Sequence, residues 1–336
     1  MSDHQIRPKY LSFEDSYEHL RISLNPDGSI FRDPALFPTT PAAPDPSLPI
    51  PVLSKDLPIN HSKGTWARVF LPRQALDSSS SSSAGKLPII VYFHGGGFIL
   101  YSAASPVFHD FSTNLAAELR AVVVSIEYRL APEHRLPAAY DDAVEAFHWV
   151  KTTGEVWLKE HADYANCFLM GSSAGGNVAY HAALRLAETV HDFEPLKIKG
   201  LILHGPFFGG TQKTETELTL LNDPIVPPGV SDLMWSLSLP IPVDCDHEYC
   251  NPTVGGGAKW LDEIQSMGWR ALMAVFHGDP LSGRQIEVVK LMEKKGIKVE
   301  KYYVDGGYHG VEIMEPSKAI PLFAALKSFL KSTMAF

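Results

Sequence analysis

Short apolar runs alternate with longer amphipathic stretches from residue 87 to the end of the chain. Val, Ile and Leu dominate these runs, which is typical of strands buried on both faces of a parallel sheet. The stretches between them are predicted to be helices, and this alternation indicates an α/β layered domain. The predicted strands are LPIIVYFH, RAVVVSIEY, NCFLMGSS, IKGLILHGP, RALMAVFHGD and VEKYYVDGG, and the predicted helices are PVFHDFSTNLAAELR, LPAAYDDAVEAFHWVKTT, GGNVAYHAALRLAETV, SGRQIEVVKLMEKKG and SKAIPLFAALKSFLKS.

The pattern before residue 87 is less regular. Residues 1–33 predict a first segment of helical or mixed structure. A short strand pair around NPDGSIFR follows, with its turn at Asp27 and Gly28. Eight prolines in residues 34–58 favour an extended segment that wraps the surface. The run TWARVFLP (65–72) predicts another strand, and DSSSSSSAGK (77–86) has the low complexity of a mobile surface loop.

One stretch interrupts the alternation of strands and helices. Residues 206–260 are rich in Pro, Thr, Asp and aromatic residues and contain no clear strand. Long irregular insertions in compact domains are often lids. We therefore expect a single domain over residues 1–336, with a cap formed by about residues 1–40 and 206–260. The cap aromatics Phe207, Phe208 and Trp235 are candidates for pocket walls or for packing.

The charge balance narrows the classes of partner. Lys plus Arg is 29 and Asp plus Glu is 38, so the net charge is −9. Nucleic acids and anionic membranes select for basic surfaces, so neither is expected. No apolar stretch is long enough to span a bilayer, and the polar first residues lack the apolar core of a secretory signal. Three cysteines suit a reducing compartment, so a cytoplasmic location without membrane insertion is expected.

Cysteine and histidine are close together at one place in the insertion. Cys245, His247 and Cys250 have the residue types of a partial metal site. No fourth ligand is evident, and the spacing fits no common zinc pattern, so loop residues are the simpler interpretation. We expect no metal.

The sharpest motif is GSSAG at residues 171–175, a G-x-S-x-G pattern. An apolar strand precedes it and an amphipathic helix follows it, which is the context of a nucleophile elbow. The spacing selects Ser173 as the nucleophile over Ser172. Ser173 is then at a helix N-terminus, where backbone N–H groups and the macrodipole favour negative charge.

A serine nucleophile needs a histidine base and an acid that orients it. His309 lies in VDGGYHGVEI, after the last predicted strand and before the final helix, and is the expected base. Asp279 ends the strand RALMAVFHGD and is the expected acid, because functional groups collect at the carboxyl edge of parallel sheets. Asp305 is its main rival, and His204 ends a strand among apolar neighbours and is read as structural. The aspartates of the expected cap, which is a poor rigid support, are Asp223, Asp232, Asp244 and Asp246.

The run HGGG at residues 94–97 directly follows an apolar strand. Bare backbone N–H groups stabilise the oxyanion of a tetrahedral intermediate. The expected donors are the N–H groups of Gly96, Gly97 and Ala174, with His94 anchoring the loop. A phosphate loop is the alternative, but no GK[ST] follows.

Five motifs in order resemble the plant carboxylesterases of the hormone-sensitive-lipase group of α/β-hydrolases. They are HGGGF (94–98), SIEYRLAPEHRLPAAYDDA (125–143), GSSAGGN (171–177), GDPL (278–281) and GYHG (307–310). The resemblance implies a mostly parallel eight-stranded sheet flanked by helices, with a cap from the N-terminus and from an insertion after the sixth strand. It also implies the triad Ser173, Asp279 and His309, and hydrolysis of small-molecule esters without a cofactor.

The resemblance has one departure and leaves alternatives open. Gly283 stands where the family usually has a second acid after its DPL motif. The same branch contains hormone receptors that have lost the catalytic histidine, and dehydratases that reuse the triad. His309 argues against a receptor, whereas a dehydratase or an acyltransferase stays an alternative. The favoured hypothesis is hydrolysis of small to medium esters through an acyl-enzyme.

Overall fold

The computed structural model describes residues 10–76, 85–189 and 193–334. Residues 77–84 of the predicted serine-rich loop and the first nine residues of the expected cap lie outside these ranges.

The described chain begins with a helix and a hairpin. Helix α1 (Phe13–Leu20) starts at a capping box between Ser12 and Asp15. Strands β1 (Ile22–Leu24) and β2 (Ile30–Arg32) then pair antiparallel. The predicted strand pair around the Asp-Gly turn is therefore confirmed.

An eight-stranded sheet forms the centre of the molecule, in the order β10-β9-β8-β7-β5-β6-β4-β3. Neighbours from β10 to β6 pair in parallel, while the pairs β6–β4 and β4–β3 are antiparallel. The six strands predicted from residue 87 onward and the strand at 65–72 are confirmed. The strands are β3 (Val52–Asn60), β4 (Thr65–Pro72), β5 (Leu87–Phe93), β6 (Val122–Glu127), β7 (Ala162–Ser172), β8 (Ile198–His204), β9 (Arg270–Phe276) and β10 (Val299–Val304).

Helices cover both faces of the sheet, and each face has its own buried cluster. Along β5, Ile89 and Val91 point into one cluster and Ile90 and Tyr92 into the other, as the two-residue period of a strand requires. The helices are α2 (Pro106–Leu119), α3 (Ala138–Thr152), α4 (Val156–His161), α5 (Ala174–Glu188), α6 (Glu215–Thr219), α7 (Pro228–Ser238), α8 (Leu261–Ser266), α9 (Ser282–Lys294), α10 (Val311–Met314) and α11 (Ile320–Met334).

The insertion, residues 206–260, separates β8 from β9 and contains α6 and α7. It follows the sixth strand of the large sheet, as expected. The N-terminal segment packs on it, because Tyr10 donates a hydrogen bond to the carboxylate of Asp232 and α1 lies against α7. Among the helices of the described ranges, none has the length and apolar character needed to cross a membrane.

Candidate active site

Ser173 lies at the turn between β7 and α5, with φ 54° and ψ −120°. This is a sparsely populated backbone conformation for a non-glycine residue, and such strain is frequent at functional sites. The turn is tight: a Cβ at Gly175 would collide with the backbone of Phe93. The strand, turn and helix predicted around GSSAG are therefore present.

The structure brings the three predicted triad residues together. Ser173 Oγ is 2.7 Å from His309 Nε2, and His309 Nδ1 is 2.8 Å from Asp279 Oδ2. The side chains of Asp279 and His309 are buried, while Ser173 is partly exposed. The rival acid, Asp305, is exposed on the same loop as the histidine.

The Asp279 carboxylate is fixed on both oxygens. Its Oδ1 accepts a hydrogen bond from the backbone N–H of Leu281 at 2.8 Å, and its Oδ2 accepts a second from Gln285 Nε2 at 3.2 Å. These bonds leave Oδ2 facing the imidazole of His309, so the carboxylate can hold one ring tautomer.

Two carboxylates act on His309. Burial opposes its protonation, but the charge and hydrogen bond of Asp279 and the charge of Asp223 outweigh it, so the pKa of His309 lies above its usual value. Asp223 belongs to the insertion, and its Oδ2 accepts the backbone N–H of His309 at 3.1 Å. Sequence reasoning set Asp223 aside as a cap residue. The Asp-Pro dipeptide at 223–224 predicts a turn, but nothing in the sequence indicates that Asp223 contacts His309.

The glycine loop after β5 adopts backbone conformations that favour glycine. Gly96 has φ 116° and Gly97 has φ 60°, and both line a cavity with Ser173. Ala174 is the first residue of α5, and the first N–H groups of a helix have no intrahelical partner. Burial lowers the pKa of His94 to about 4, and its Nδ1 is 2.8 Å from the carbonyl oxygen of Gly95, which fits an anchor better than a base.

A cavity of about 300 Å³ opens beside Ser173 and His309. Most of its walls are apolar, and none of its lining residues in the described ranges is a carboxylate. Phe207, Phe208 and Trp235 do not line it; they are buried, and Phe207 stacks on Trp235 at 4.7 Å. Its walls come from the N-terminal segment (Leu20, Leu36, Phe37), the glycine loop and α2 (Leu100, Tyr101, Phe108) and the insertion (Pro224, Ile225, Val226, Met234).

The insertion also explains the glycine after the DPL motif. A Cβ at Gly283 would lie 2.9 Å from Thr216 Oγ1 and 3.1 Å from Thr214. Thr216 donates a hydrogen bond to the carbonyl oxygen of Pro280 at 2.8 Å. Thr214, the N-cap of α6, and Thr216 therefore fill the space at this position, and Thr216 holds the loop that carries Asp279.

Comparison with known proteins assigns the family. A model of the alpha/beta hydrolase fold matches residues 90–313. Carboxylesterase 20 from Arabidopsis thaliana is 53% identical over 320 residues, which are 95% of this chain and 98% of the relative. The chain belongs to the plant carboxylesterases of this fold. The predicted fold and the predicted resemblance are confirmed.

Further relatives of this plant carboxylesterase are enzymes of the same class. The 3-O-acetylpapaveroxine carboxylesterase CXE2 of Papaver somniferum is 46% identical, with 85% of this chain and 93% of the relative aligned. The esterase of Pyrobaculum calidifontis is 26% identical with a TM-score of 0.68, covering 86% of this chain and 87% of that chain. A Rhizomucor miehei esterase, at 22% identity and a TM-score of 0.70, supports the fold alone. The plant carboxylesterases and the Pyrobaculum calidifontis esterase place the chain among the carboxylic ester hydrolases.

In the part of this carboxylesterase that the structure describes, no group of three His, Cys, Asp or Glu side chains is arranged to hold a metal ion. Cys245, His247 and Cys250 are not arranged in such a group.

Proposed function

We propose that the chain is a serine carboxylesterase that hydrolyses small to medium carboxylic esters through an acyl-enzyme. Ser173 is the nucleophile, His309 the general base and acid, and Asp279 the residue that orients the histidine. The observation that carries the proposal is the Ser173–His309 contact of 2.7 Å beside an apolar cavity. The proposed oxyanion-hole donors are the N–H groups of Gly96, Gly97 and Ala174.

Acylation begins when His309 Nε2 takes the hydroxyl proton and Ser173 Oγ attacks the ester carbonyl carbon. The carbonyl oxygen becomes an oxyanion, which the backbone N–H donors stabilise; one such donor is typically worth about 3–4 kcal/mol. The intermediate collapses, His309 returns the proton to the alcohol, and the acyl group stays on Ser173.

Deacylation repeats these steps with water. His309 Nε2 takes a proton from the water, whose oxygen attacks the acyl carbon and forms a second oxyanion. Collapse breaks the bond to Oγ, the proton returns to Ser173, and the carboxylic acid leaves. Asp279 keeps the Nδ1 proton on the ring and stabilises the imidazolium in both half-reactions.

Cavity size supports the substrate class. A volume of about 300 Å³ is at the lower end of small-molecule pockets, and the mostly apolar walls favour compact apolar groups. Besides His309, the basic residues of the lining that the structure describes are His19 and Arg21. The name of the poppy relative describes an enzyme for an acetyl ester, which agrees with a small acyl group.

We propose that the N-terminal segment (residues 1–40) and the insertion (206–260) form a cap over the single domain. Both line the cavity, and Tyr10 and Asp232 join them. A cytoplasmic location is also proposed, because the three cysteines are free and suit a reducing compartment.

Rapid-mixing kinetics with p-nitrophenyl butyrate tests the mechanism. An esterase must acylate Ser173, so a burst equal to the active-site concentration and a butyryl adduct in the intact-protein mass are expected. Ser173→Ala is the control, and it is expected to show neither the burst nor the butyryl adduct. A dehydratase reusing the triad need not acylate serine, so the absence of burst, adduct and turnover at saturating substrate would contradict the proposal.

A further inference from the structure

A second array of serine, histidine and acid lies beneath the first. Ser172 Oγ is 2.8 Å from His204 Nδ1, and His204 Nε2 is 2.8 Å from Glu312 Oε2. All three side chains are buried, at 1%, 2% and 2% exposed, so substrate cannot reach Ser172. Ser172 is therefore not a second nucleophile, and no step of the proposed mechanism uses the array.

The protons of this array have one consistent arrangement. Tyr92 donates its hydroxyl proton to Ser172 Oγ at 2.9 Å. Ser172 then donates to His204 Nδ1, and His204 Nε2–H donates to the Glu312 carboxylate. His204 thus contacts its acid through Nε2, whereas His309 contacts Ser173 through Nε2. Phe111 stacks on the His204 ring at 5.6 Å and 9°, which fixes its plane.

Each end of the array is next to a proposed catalytic residue. Ser172 directly precedes Ser173, and Glu312 follows His309 by three residues. The backbone oxygen of His204 accepts the N–H of Ser173 at 3.0 Å. His204 therefore holds the nucleophile turn with its carbonyl and the loop of His309 with its ring.

Asp279 holds the ring of His309 and Asp223 holds its backbone N–H, while Glu312 holds the segment that follows the histidine. Gly306, Gly307 and Gly310 surround the histidine, all with φ between 73° and 79°. Glycine-rich backbone has wide conformational freedom, so it does not hold a side chain in place by itself. A small cavity of about 10 Å³, lined by Ser173, His204 and His309, lies between the two arrays. This volume is at most enough for one water molecule, so it leaves room only for a small shift of the histidine if the contact of Glu312 is lost.

We propose that Glu312, through His204 and Ser172, is a positioning residue that sets His309 against Ser173. The inference rests on the proposed esterase mechanism, in which this contact transfers the proton. Small displacements of a reacting group cost large factors in rate. The array does not line the large cavity, so its loss is expected to change kcat and not KM.

Two substitutions at one position separate positioning from folding. Glu312→Ala removes the acceptor of His204 Nε2–H, and we expect kcat to fall about 20- to 100-fold with KM within threefold. Glu312→Gln keeps an acceptor oxygen there, and kcat within about fivefold of wild type is expected. All rates are divided by the active sites titrated with an organophosphate, so unfolded protein does not count.

Val311→Ala is the matched control, because it truncates the buried neighbour in the same helix and leaves the array intact. It is expected to lower Tm while kcat per titrated site stays within threefold. Three outcomes would overturn the inference: Glu312→Ala with wild-type kcat, Glu312→Gln as slow as Glu312→Ala, or Val311→Ala as slow as Glu312→Ala.

Should Glu312→Ala fail to fold, Ser172→Ala opens the array at its other end with the loss of one oxygen. A fall in kcat of about five- to tenfold at unchanged KM is expected, and wild-type kcat would overturn the inference. If the wild-type enzyme shows no ester turnover, that result contradicts the esterase proposal and not the inference about the array. The array is then judged by the rate at which an organophosphate labels Ser173, which must fall in Glu312→Ala.

Discussion

Ser172 and Ser173 are neighbours in the chain but have opposite surroundings. Ser172 is enclosed by Tyr92 and His204, whereas Ser173 contacts His309 and lines the cavity. The side chains of consecutive residues at a strand end point to opposite faces. One hydroxyl therefore faces the cavity and the other lies in the core.

The first prediction follows from that difference. Ser173→Ala removes the nucleophile and is expected to lower kcat by roughly four to six orders of magnitude with the fold intact. The loss in Ser172→Ala is expected to stay within about tenfold. Steady-state kinetics on p-nitrophenyl butyrate and peptide mapping of an organophosphate adduct give the measurement. Adduct on Ser172 would show that the nucleophile is misassigned.

The second prediction concerns the acid. In Asp279→Asn the amide cannot hold the Nδ1–H tautomer of His309, so kcat is expected to fall by up to about 10⁴-fold with little structural change. Asp305→Asn, an exposed change on the same loop, is the matched control and is expected to keep kcat within twofold. The comparison of kcat and circular dichroism tests this. A larger loss in Asp305→Asn would transfer the acid's role to that residue.

The third prediction uses the raised pKa of His309. The base must be neutral, so kcat/KM rises with pH through this pKa, and its midpoint is expected above about 6.5. Asp223 is one of the charges that raise the pKa, so Asp223→Asn is expected to move the midpoint to lower pH. Profiles of kcat/KM against pH for both proteins decide it, and an unmoved or higher midpoint would refute this role of Asp223.

Local motifs predicted the three residues that the structure brings together, because an elbow, a strand end and a glycine-rich loop each have a short sequence signature. Asp223 and Glu312 have no such signature. Their partners, His309 and His204, lie 86 and 108 residues away, and only the folded chain brings them together. The sequence predicts a structural role for His204, and its buried hydrogen bonds to Ser172 and Glu312 agree with that role.

At the scale of elements, buried strands were easier to predict than the insertion. Continuous apolar runs indicate strands of a parallel sheet, and β5 to β9 have this pattern. Strand β10, at the sheet edge, has the mixed sequence VEKYYV and is only partly buried. Helix α7 is buried on nearly every side, so it has no polar face to show a helical period. Strand β3 was expected only as extended chain because of its prolines. It lies at the sheet edge, where the missing N–H of Pro58 is tolerated.

The fourth prediction concerns the contact between α6 and α9. Arg284 and Glu217 form an ion pair of 3.2 Å with side chains 7% and 2% exposed. Glu217→Ala removes one partner of a buried cation that keeps Glu287 at 3.4 Å and the carbonyl oxygen of Gln212, and it breaks the capping box of α6. The free energy of unfolding is therefore expected to fall by about 2–3 kcal/mol, less than for a fully uncompensated charge. Glu215→Ala, exposed in the same turn, is expected to change it by less than about 0.5 kcal/mol. Urea unfolding measures both, and equal losses would contradict the prediction.

At the scale of the whole molecule, the cavity exists only because distant segments meet. The N-terminal segment, the glycine loop, the insertion and the loop of His309 each supply part of its wall. The sequence predicted which segments take part. It did not predict the lining, because Met234 faces the cavity while the adjacent Trp235 packs in the core.

The fifth prediction follows from the apolar walls. Each methylene buried in the cavity is worth about 0.8 kcal/mol, so kcat/KM is expected to rise about fourfold per carbon and to fall once the cavity is full. Met234→Ala enlarges the cavity and is expected to move the optimum to longer acyl chains. A p-nitrophenyl ester series from acetate to decanoate measures this. Met267→Ala, the same truncation far from the site, should keep the wild-type optimum, and a Met234→Ala optimum that does not move would argue against this wall.

The bond from Asp223 to His309 has a consequence for engineering. If an insertion only enclosed the substrate, replacing it with the insertion of a relative would change the substrate specificity and nothing else. Here the insertion supplies an acceptor for the backbone of the base and part of the charge that sets its basicity. A chimera with a foreign insertion therefore inherits a new pH range together with its new substrates, unless the graft brings a carboxylate to the same place.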